Sequence, residues 1–206
     1  MSVNPFASKS TLEYELPPFE LIKEEHYLEA FYEGMALQLR EIDEILANSE
    51  VTFENTIEAL ERSGAMLGRV LSVFYNKSSS DTNDVIDAIE AEIAPKLAAH
   101  SDEIRLNPQL FARIKSLKDH ASELDEEQVW LVERYFRDFV HAGAELSETN
   151  RIRVKQINEE LSSLETQFSK RLLADTYDLA ILVENESELE GLTPNQIAAC
   201  KAAAES

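Results

Sequence analysis

Apolar residues recur every three or four positions along most of this chain, and this spacing constrains the fold more than any other feature of the sequence. Residues spaced in this way lie on one face of an α-helix. The 206 residues include only five glycines and six prolines, so few positions favour a break between helices. The sequence therefore predicts an all-α protein, an antiparallel multi-helix bundle of about six to seven helices.

Six apolar stripes mark the helices that we expect, and signals for helix starts and ends accompany them. The stripes cover residues 28–46, 53–74, 86–104, 110–117, 129–139 and 154–172. Candidate start residues are Thr52, Thr82, Asn107 followed by Pro108, Asp125 paired with Gln128, and Ser147. Gly143 is a candidate end for the fifth helix. Gly64 lies within the second stripe, where the absence of a Cβ predicts the close approach of a neighbouring helix.

Three segments lie outside these stripes. Residues 1–22 contain three prolines, which disfavour helix, and we expect an extended N-terminal arm packed on the remaining helical domain, residues 23–206. Residues 179–183 form a short apolar run between acidic residues, which is typical of a strand. Thr193 and Pro194 are expected to start a last helix.

The charge of the chain excludes several kinds of partner. Nineteen lysine and arginine residues stand against 40 aspartate and glutamate residues, which gives a formal net charge of −21. Binding to nucleic acid or to an anionic membrane requires clustered positive charge, so we expect neither. The acidic surface either keeps the protein soluble or attracts basic peptides.

The sequence also favours a cytoplasmic setting. Cys200 is the single cysteine and cannot form an internal disulfide. Residues 1–10 lack the apolar core of a signal peptide. No apolar run approaches the roughly 18 residues that a membrane span requires.

Histidine spacing argues against a zinc hydrolase site within this chain. The H-E-x-x-H pattern requires two histidines one helical turn apart, with a glutamate beside the first as general base. No two of the four histidines are four residues apart, and none is followed by glutamate. These histidines are His26, His100, His120 and His141.

Other combinations of reactive side chains are also incomplete. Asp138 and His141 have the spacing of one half of a carboxylate–histidine metal site, but a second such pair is missing from the sequence. His100 lies on an apolar stripe and is expected to be a hydrogen-bonded core residue. Cys200 has no adjacent base that would activate it as a nucleophile. We therefore predict no catalytic, cofactor-binding or metal-binding residue in this chain.

Several longer stretches are more specific than their periodicity. They are Asn4–Phe6, Leu16–Phe19, Glu25–Tyr27, Thr52–Gly64, Asp81–Asp84, Arg137–Ala144 and Ile157–Leu161. In order and spacing they resemble the N-terminal region of a zinc metallopeptidase family that includes the bacterial peptidyl-dipeptidases (dipeptidyl carboxypeptidases), oligopeptidase A and thimet oligopeptidase. The resemblance extends from Asn4 to about Leu192. The arm and residues 81–84 favour the peptidyl-dipeptidase branch over oligopeptidase A.

The resemblance implies a function for a longer parent enzyme. Members of this family are mostly helical and contain a deep channel, with the zinc ion, the H-E-x-x-H helix and a further glutamate ligand in the C-terminal part. The N-terminal part forms much of the opposite wall and restricts access to short, unfolded peptides. The peptidyl-dipeptidase branch releases dipeptides from peptide C-termini, by attack of a zinc-activated water on the scissile carbonyl.

For this chain the resemblance implies a non-catalytic wall domain that ends before the catalytic domain. Its expected partners are that missing C-terminal domain and, in the parent enzyme, short peptide substrates. The isolated chain should expose the apolar surface of this interface, and a homodimer could cover it. The alternative is a stand-alone acidic helical module for protein interaction, which the charge of −21 also favours. The coding sequence after Ser206 would separate the two hypotheses.

Overall fold

The computed structural model of this protein describes residues 4–179 and 181–204. Its α-helices are α1 (Glu25–Ala47), α2 (Ala59–Arg62), α3 (Ala65–Ser80), α4 (Asp84–Arg105), α5 (Pro108–Asp119), α6 (Glu126–Ala142), α7 (Glu148–Asp178) and α8 (Pro194–Ala204). A π-helical turn, Glu54–Glu58, leads into α2, and short 3-10 turns lie at Glu13–Glu15, Ala121–Glu123 and Glu186–Leu189. No strand occurs in the described ranges, and the prediction of an all-α helical bundle is confirmed.

The chain divides into two compact units, Met1–Thr166 and Gln167–Ser206. The first unit contains α1 to α6 and both hydrophobic clusters. The second unit contains α8 and has no buried side chain among its described residues. None of the helices in the described ranges combines the length and the apolar content that crossing a lipid bilayer requires. The predicted boundary between residues 22 and 23 stays a prediction.

Aromatic rings from α1 and α3 form the centre of the first hydrophobic cluster. Phe74 is fully buried, and its ring meets those of Tyr27 and Phe31 edge-on, with centroid distances of 5.2 Å in both pairs. Phe6 from the N-terminal segment extends this group by packing against Tyr27 at 5.5 Å. Edge-to-face pairs add about 0.5–1.5 kcal/mol each to ordinary apolar burial. These rings therefore join the N-terminal segment, α1 and α3 into one core.

The second hydrophobic cluster joins the C-terminal half of α1 to α5 and α6. Its buried members are Ile42, Ile45, Phe53, Ile57, Leu60, Leu110, Phe111, Ile114, Leu117, Val132, Phe139 and Ala144. Within each helix these residues follow the three-and-four spacing of a single face. The apolar stripes of α1, α5 and α6 thus face the interior, as the sequence predicts.

Local side-chain hydrogen bonds start two of the helices at the predicted residues. The Asn107 side chain accepts from the backbone N–H groups of Gln109 and Leu110, at 2.9 and 3.0 Å. Asp125 and Gln128 form the predicted capping box, in which each side chain accepts from the other residue's backbone N–H. Both predictions are confirmed. Each cap satisfies backbone donors that the first helical turn leaves unpaired.

Thr52, Ser147 and Gly143 also act as predicted, but Thr82 does not. The hydroxyls of Thr52 and Ser147 accept from the backbone N–H three residues later, and Gly143 ends α6 in the left-handed region with φ of 109°. α4 begins after Asn83, whose Oδ1 accepts from two first-turn N–H groups at 3.0 and 3.1 Å. The prediction of Thr82 as the cap is wrong, because its hydroxyl donates to a carboxylate of α4 instead.

Gly64 breaks the second predicted helix instead of lying inside it. Its φ of 72° is in the left-handed region, and its N–H donates to the Glu41 carboxylate at 2.7 Å. The apolar spacing continues in phase across this break, so periodicity alone does not reveal it. A Cβ at Gly64 would lie 2.4 Å from the Gln38 side chain. The close approach between helix backbones occurs at Gly34, where a Cβ would lie 3.0 Å from Cα of Leu67.

The N-terminal segment is a series of turns, so the prediction of an extended arm over residues 1–22 is wrong in its described part. Backbone hydrogen bonds close these turns, as from the N–H of Ala7 to the oxygen of Asn4 at 3.0 Å, with Pro5 in the second position of the turn. Proline fixes φ at a value that suits the second position of a turn. Phe6 is buried and anchors the segment, and Ile22 packs partly buried against the first cluster. The other large apolar side chains of the segment are exposed: Leu12, Tyr14, Leu16, Phe19 and Leu21.

The apolar run at residues 179–183 does not form the predicted strand. Leu179 belongs to the turn that closes α7, and its N–H donates to the oxygen of Asp175 at 2.9 Å. Residues 181–183 have no regular structure, and Ala180 lies outside the described residues. A strand needs a neighbouring strand to satisfy its backbone. The described ranges contain none, so this prediction is wrong.

Candidate interaction surface

The candidate side chains for metal binding or catalysis lie apart and make local contacts. Asp138 forms an ion pair with Arg134, with 3.7 Å between Oδ2 and Nε, on the surface of α6. His120 Nδ1 lies 2.8 Å from the backbone oxygen of Ser116, and Cys200 is exposed. Within the described residues, no three of His, Cys, Asp or Glu come together in a way that could hold a metal ion. The absence of a metal or catalytic site from the whole chain stays a prediction.

The remaining histidines have structural surroundings. His26 accepts from a backbone N–H at the start of α1, at 3.0 Å, and His141 lies in the last turn of α6. His100 is buried, and its Nε2 lies 2.7 Å from Gln38 Oε1, which requires a proton on that nitrogen. Burial lowers the pKa of His100, and the nearby charge of Glu103 opposes this shift only in part. The prediction that His100 is a hydrogen-bonded core residue is confirmed for Nε2, whereas Nδ1 is buried without a partner among the described residues.

A buried carboxylate on α4 contacts the first half of α7. Asp102 is 6% exposed, and its Oδ1 accepts from the side-chain amide of Asn158 at 2.7 Å. Its second oxygen is buried without a hydrogen-bond partner in the described part of the chain. Burial raises the pKa of Asp102, while the Asn158 hydrogen bond and the charges of Lys155 and Arg105 lower it. The net shift is upward because the loss of hydration outweighs these contacts.

Replacing Asp102 by asparagine should remove a pH-dependent loss of stability. A carboxyl group whose pKa is raised on folding holds its proton more tightly in the folded state. The unfolded chain therefore ionises first, and the wild-type free energy of unfolding falls as pH rises from about 4 through the raised folded pKa. The Asp102→Asn variant lacks this titration, so it should gain stability relative to wild type across that window and keep the gain at neutral pH.

Urea denaturation of the wild type and the variant, followed by circular dichroism over this pH range, measures the difference. Asp84→Asn is the control, since Asp84 is exposed in the first turn of the same helix. The control should show no gain that grows with pH. Parallel stability curves for wild type and Asp102→Asn would show that the buried carboxyl group does not cause the pH dependence.

Arg113 of α5 is a buried cation whose role the sequence does not reveal. Its guanidinium donates to the backbone oxygens of Asn48 and Glu50, each at 2.7 Å, to Asn55 Oδ1 at 2.9 Å and to Thr56 Oγ1 at 3.3 Å. Burial lowers the pKa of Arg113. The acceptors belong to the loop after α1 and to the π-helical turn, so the guanidinium fixes both of these segments to α5.

α7 presents its large apolar side chains to solvent. The helix has 31 residues, and none of its described side chains is buried. Ile157, Leu161 and Leu164 follow the spacing of one helix face, and all three are exposed. Asn158, which contacts Asp102, lies on the adjacent face. In its described part α7 therefore meets α4 through a polar contact and leaves its apolar face uncovered.

A shallow groove lies beside this apolar face, between α7 and the helices α3 and α4. Its volume is about 510 Å³, and its walls include Tyr75 of α3, Leu97 of α4 and Leu161 of α7. Among the described residues that line it, Glu165 carries the only charge. A groove with apolar walls and an acidic edge suits an apolar segment with positive charge nearby.

A second groove, of about 450 Å³, lies between the N-terminal segment and α3. Phe6, Pro17 and Val73 contribute to its largely apolar lining, and Arg69 lies at its edge. The Arg69 guanidinium donates to the backbone oxygens of Phe6 and Ala65, at 3.1 and 3.2 Å. Its charge therefore holds the N-terminal segment in place, and this groove brings no reactive side chains together.

Comparison with known proteins gives a consistent set of relatives. The chain is 39% identical over 207 residues to the dipeptidyl carboxypeptidase of Salmonella typhimurium, and 37% identical over 206 residues to that of Escherichia coli. It is 28% identical over 195 residues to oligopeptidase A of Salmonella typhimurium. The three alignments cover 99%, 98% and 93% of this chain. No protein-family model matches the chain.

The relatives are much longer than this chain. The alignments cover 30%, 30% and 29% of their respective lengths, in the N-terminal part. Identity is higher to the two dipeptidyl carboxypeptidases than to the oligopeptidase A. Because each alignment runs through nearly the whole chain, the aligned segments include α4 and α7.

Proposed function

Because this chain belongs to the N-terminal part of the dipeptidyl carboxypeptidase and oligopeptidase A family, we propose that it is a non-catalytic part of a metallopeptidase and forms one wall of the substrate channel. This wall restricts cleavage to short peptides, because a folded protein cannot enter a narrow channel. The parent enzyme releases dipeptides from peptide C-termini, the activity named for its dipeptidyl carboxypeptidase relatives.

The observation that carries this proposal is the extent of the alignment. The chain matches a dipeptidyl carboxypeptidase over 99% of its own length and only 30% of the relative's. A segment of that kind functions together with the remainder of a longer enzyme. The uncovered apolar face of α7 adds support, since a domain that completes a larger enzyme needs a surface for it.

Zinc is the metal of the proposed parent enzyme, and the described residues do not fit a zinc site. A catalytic zinc ion needs three protein ligands that converge on one point. The described His, Cys, Asp and Glu residues form no such group. We therefore assign the metal chemistry to the remaining part of the parent enzyme, and no step of the reaction to this chain.

We place the parent enzyme in the cytoplasm. Cys200 is the single cysteine of the chain, and its thiol is free and exposed. A free, exposed thiol suits a reducing compartment.

The chain by itself should release no dipeptide from a short peptide, with or without added zinc. A chimeric enzyme, in which this chain replaces the matching 30% of the Salmonella typhimurium dipeptidyl carboxypeptidase, should release dipeptides from an N-acetylated tetrapeptide. It should also leave a compactly folded protein such as ribonuclease A intact, because a folded chain cannot enter the channel that this wall narrows. Mass spectrometry of the products measures both reactions, and a chelator is the control for metal dependence.

Three results would contradict this proposal. Chelator-sensitive turnover by the chain alone would show that it carries a catalytic site. Cleavage of the folded protein by the chimeric enzyme, but not by the parental Salmonella typhimurium enzyme, would show that the chain does not restrict access. An inactive chimera together with tight binding of basic peptides by the chain alone would favour the alternative, a stand-alone acidic module for protein interaction.

A further inference from the structure

We infer that the groove beside α7 is the docking surface for the C-terminal part of the parent enzyme, and that a helix with an apolar face and basic flanks occupies it. This inference rests on the proposed function, because it requires the longer polypeptide that the relatives have. It assigns the interface to Leu97 of α4 and to Ile157, Leu161 and Leu164 of α7.

The apolar face of α7 provides most of this surface. At about 100° per residue, Ile157, Leu161 and Leu164 lie within an arc of roughly 60° on one side of the helix. They are 37%, 48% and 52% exposed. A single exposed leucine needs no explanation, but a contiguous apolar stripe beside an apolar groove marks a surface that a partner covers.

The contact between Asp102 and Asn158 keeps this stripe facing outward. Asn158 lies about 90° around α7 from the centre of the stripe, and its amide donates to the buried Asp102 carboxyl group at 2.7 Å. A rotation of α7 that buried the stripe against α4 would break this bond. Asp102 would then have no partner for either buried oxygen, which costs more than a lost surface contact. The stripe therefore remains available to a separate segment.

The charge of this chain argues against a second copy of it as the occupant of the groove. Each copy carries a net charge of −21, so a dimer brings two strongly negative surfaces together. The groove itself has an acidic edge, because Glu165 is the charged residue among the described residues that line it. Lysine or arginine beside the apolar face of an occupant would pair with this carboxylate. A segment of the same polypeptide also has a high effective concentration at the groove.

Two glutamate substitutions on α7 form a matched pair for testing this inference. Leu161 and Ile152 are 48% and 51% exposed, and nine residues separate them, which places them on opposite sides of the helix. Only Leu161 lines the groove. Leu161→Glu and Ile152→Glu thus add the same charge at the same depth of burial. In the isolated chain both variants should keep the helix content and the urea midpoint of the wild type, since neither side chain is in a core.

In the chimeric enzyme the two variants should differ. Leu161→Glu places a carboxylate in the occupied groove, so the two parts of the enzyme separate more often and a protease cuts between them faster. Limited trypsin digestion followed by mass spectrometry should show an increase in cleavage rate on the order of tenfold. Ile152→Glu should stay within about twofold of the unmodified chimera. Leu161→Met, which keeps the apolar contact, should behave as the unmodified chimera does.

Equal cleavage rates for Leu161→Glu and Ile152→Glu would overturn the inference. So would a dimer of the isolated chain in sedimentation velocity that Leu161→Glu dissociates and Ile152→Glu does not, since the groove would then belong to a second copy. Dipeptide release by the unmodified chimera is recorded in the same preparation. The proposed function fails if that chimera is inactive, whereas the docking inference fails on the comparison of the two variants.

Discussion

Replacing Phe74 by alanine is expected to lower the free energy of unfolding by about 3–5 kcal/mol. The Phe74 ring is fully buried and lies edge-on to both Tyr27 and Phe31 at 5.2 Å. Truncation removes the apolar contacts, leaves a cavity at the centre of the first cluster and ends both ring interactions. Urea denaturation followed by circular dichroism measures the loss.

Phe19→Ala is the matched control for this truncation. The same atoms are removed, but Phe19 is exposed in the N-terminal segment, so the change should stay within about 0.5 kcal/mol. Similar losses for the two variants would mean that the first cluster does not have the packed core described above. A large loss for Phe74→Ala alone would locate the stability of this region between α1 and α3.

The helices of this chain are predictable because their signals are local. Asn107 and the pair of Asp125 and Gln128 act on backbone groups within three residues of themselves. Such interactions depend on the neighbouring sequence and little on the rest of the fold. The same reasoning explains why Gly143 could be assigned as the end of α6.

Two of the errors arise where tertiary contacts decide the backbone conformation, whereas the error at Thr82 is one of a single residue, because Asn83 is the cap. Gly64 leaves the helical region and donates to Glu41, which is 23 residues earlier in the chain. Residues 179–183 have the composition of a strand but no neighbouring strand in the described ranges. Propensity and spacing report what a segment can form alone, and tertiary contacts then select among the alternatives.

The candidate surface could be predicted only in part. The apolar stripe that contains Leu161 and Leu164 is visible in the sequence, because its spacing identifies one face of a helix. Spacing does not say whether that face meets the interior or solvent. The orientation of α7 follows from Asp102 and Asn158, which are 56 residues apart, and a hydrogen bond of that sequence separation has no local signal.

Arg113→Met is expected to lower the free energy of unfolding by about 3 kcal/mol. Methionine keeps a long apolar side chain but cannot donate a hydrogen bond. Two opposing effects set the outcome. Removing the charge eliminates the free-energy cost of burying it, whereas the backbone oxygens of Asn48 and Glu50 and the side chains of Asn55 and Thr56 each lose the hydrogen bond from Arg113. Asn55 Oδ1 keeps two other donors, the Thr52 N–H and the Thr56 hydroxyl. Hydrogen bonds to a charged group contribute about 1.5–3 kcal/mol each. The loss of four such bonds therefore outweighs the gain from no longer desolvating the guanidinium.

Arg62→Met is the control for Arg113→Met, since the Arg62 side chain is 76% exposed and pairs only with Glu58 in the described contacts. An exposed ion pair of this kind contributes little, so the change should stay within about 0.5 kcal/mol. Arg113→Lys keeps the charge but offers fewer donors in a different geometry. Its decrease in the free energy of unfolding should fall between those of Arg113→Met and Arg62→Met. Amide hydrogen exchange distinguishes the cause. If the guanidinium fixes the loop after α1, exchange in Arg113→Met should accelerate first within residues 48–56, and acceleration spread evenly over α5 and α6 would contradict that role.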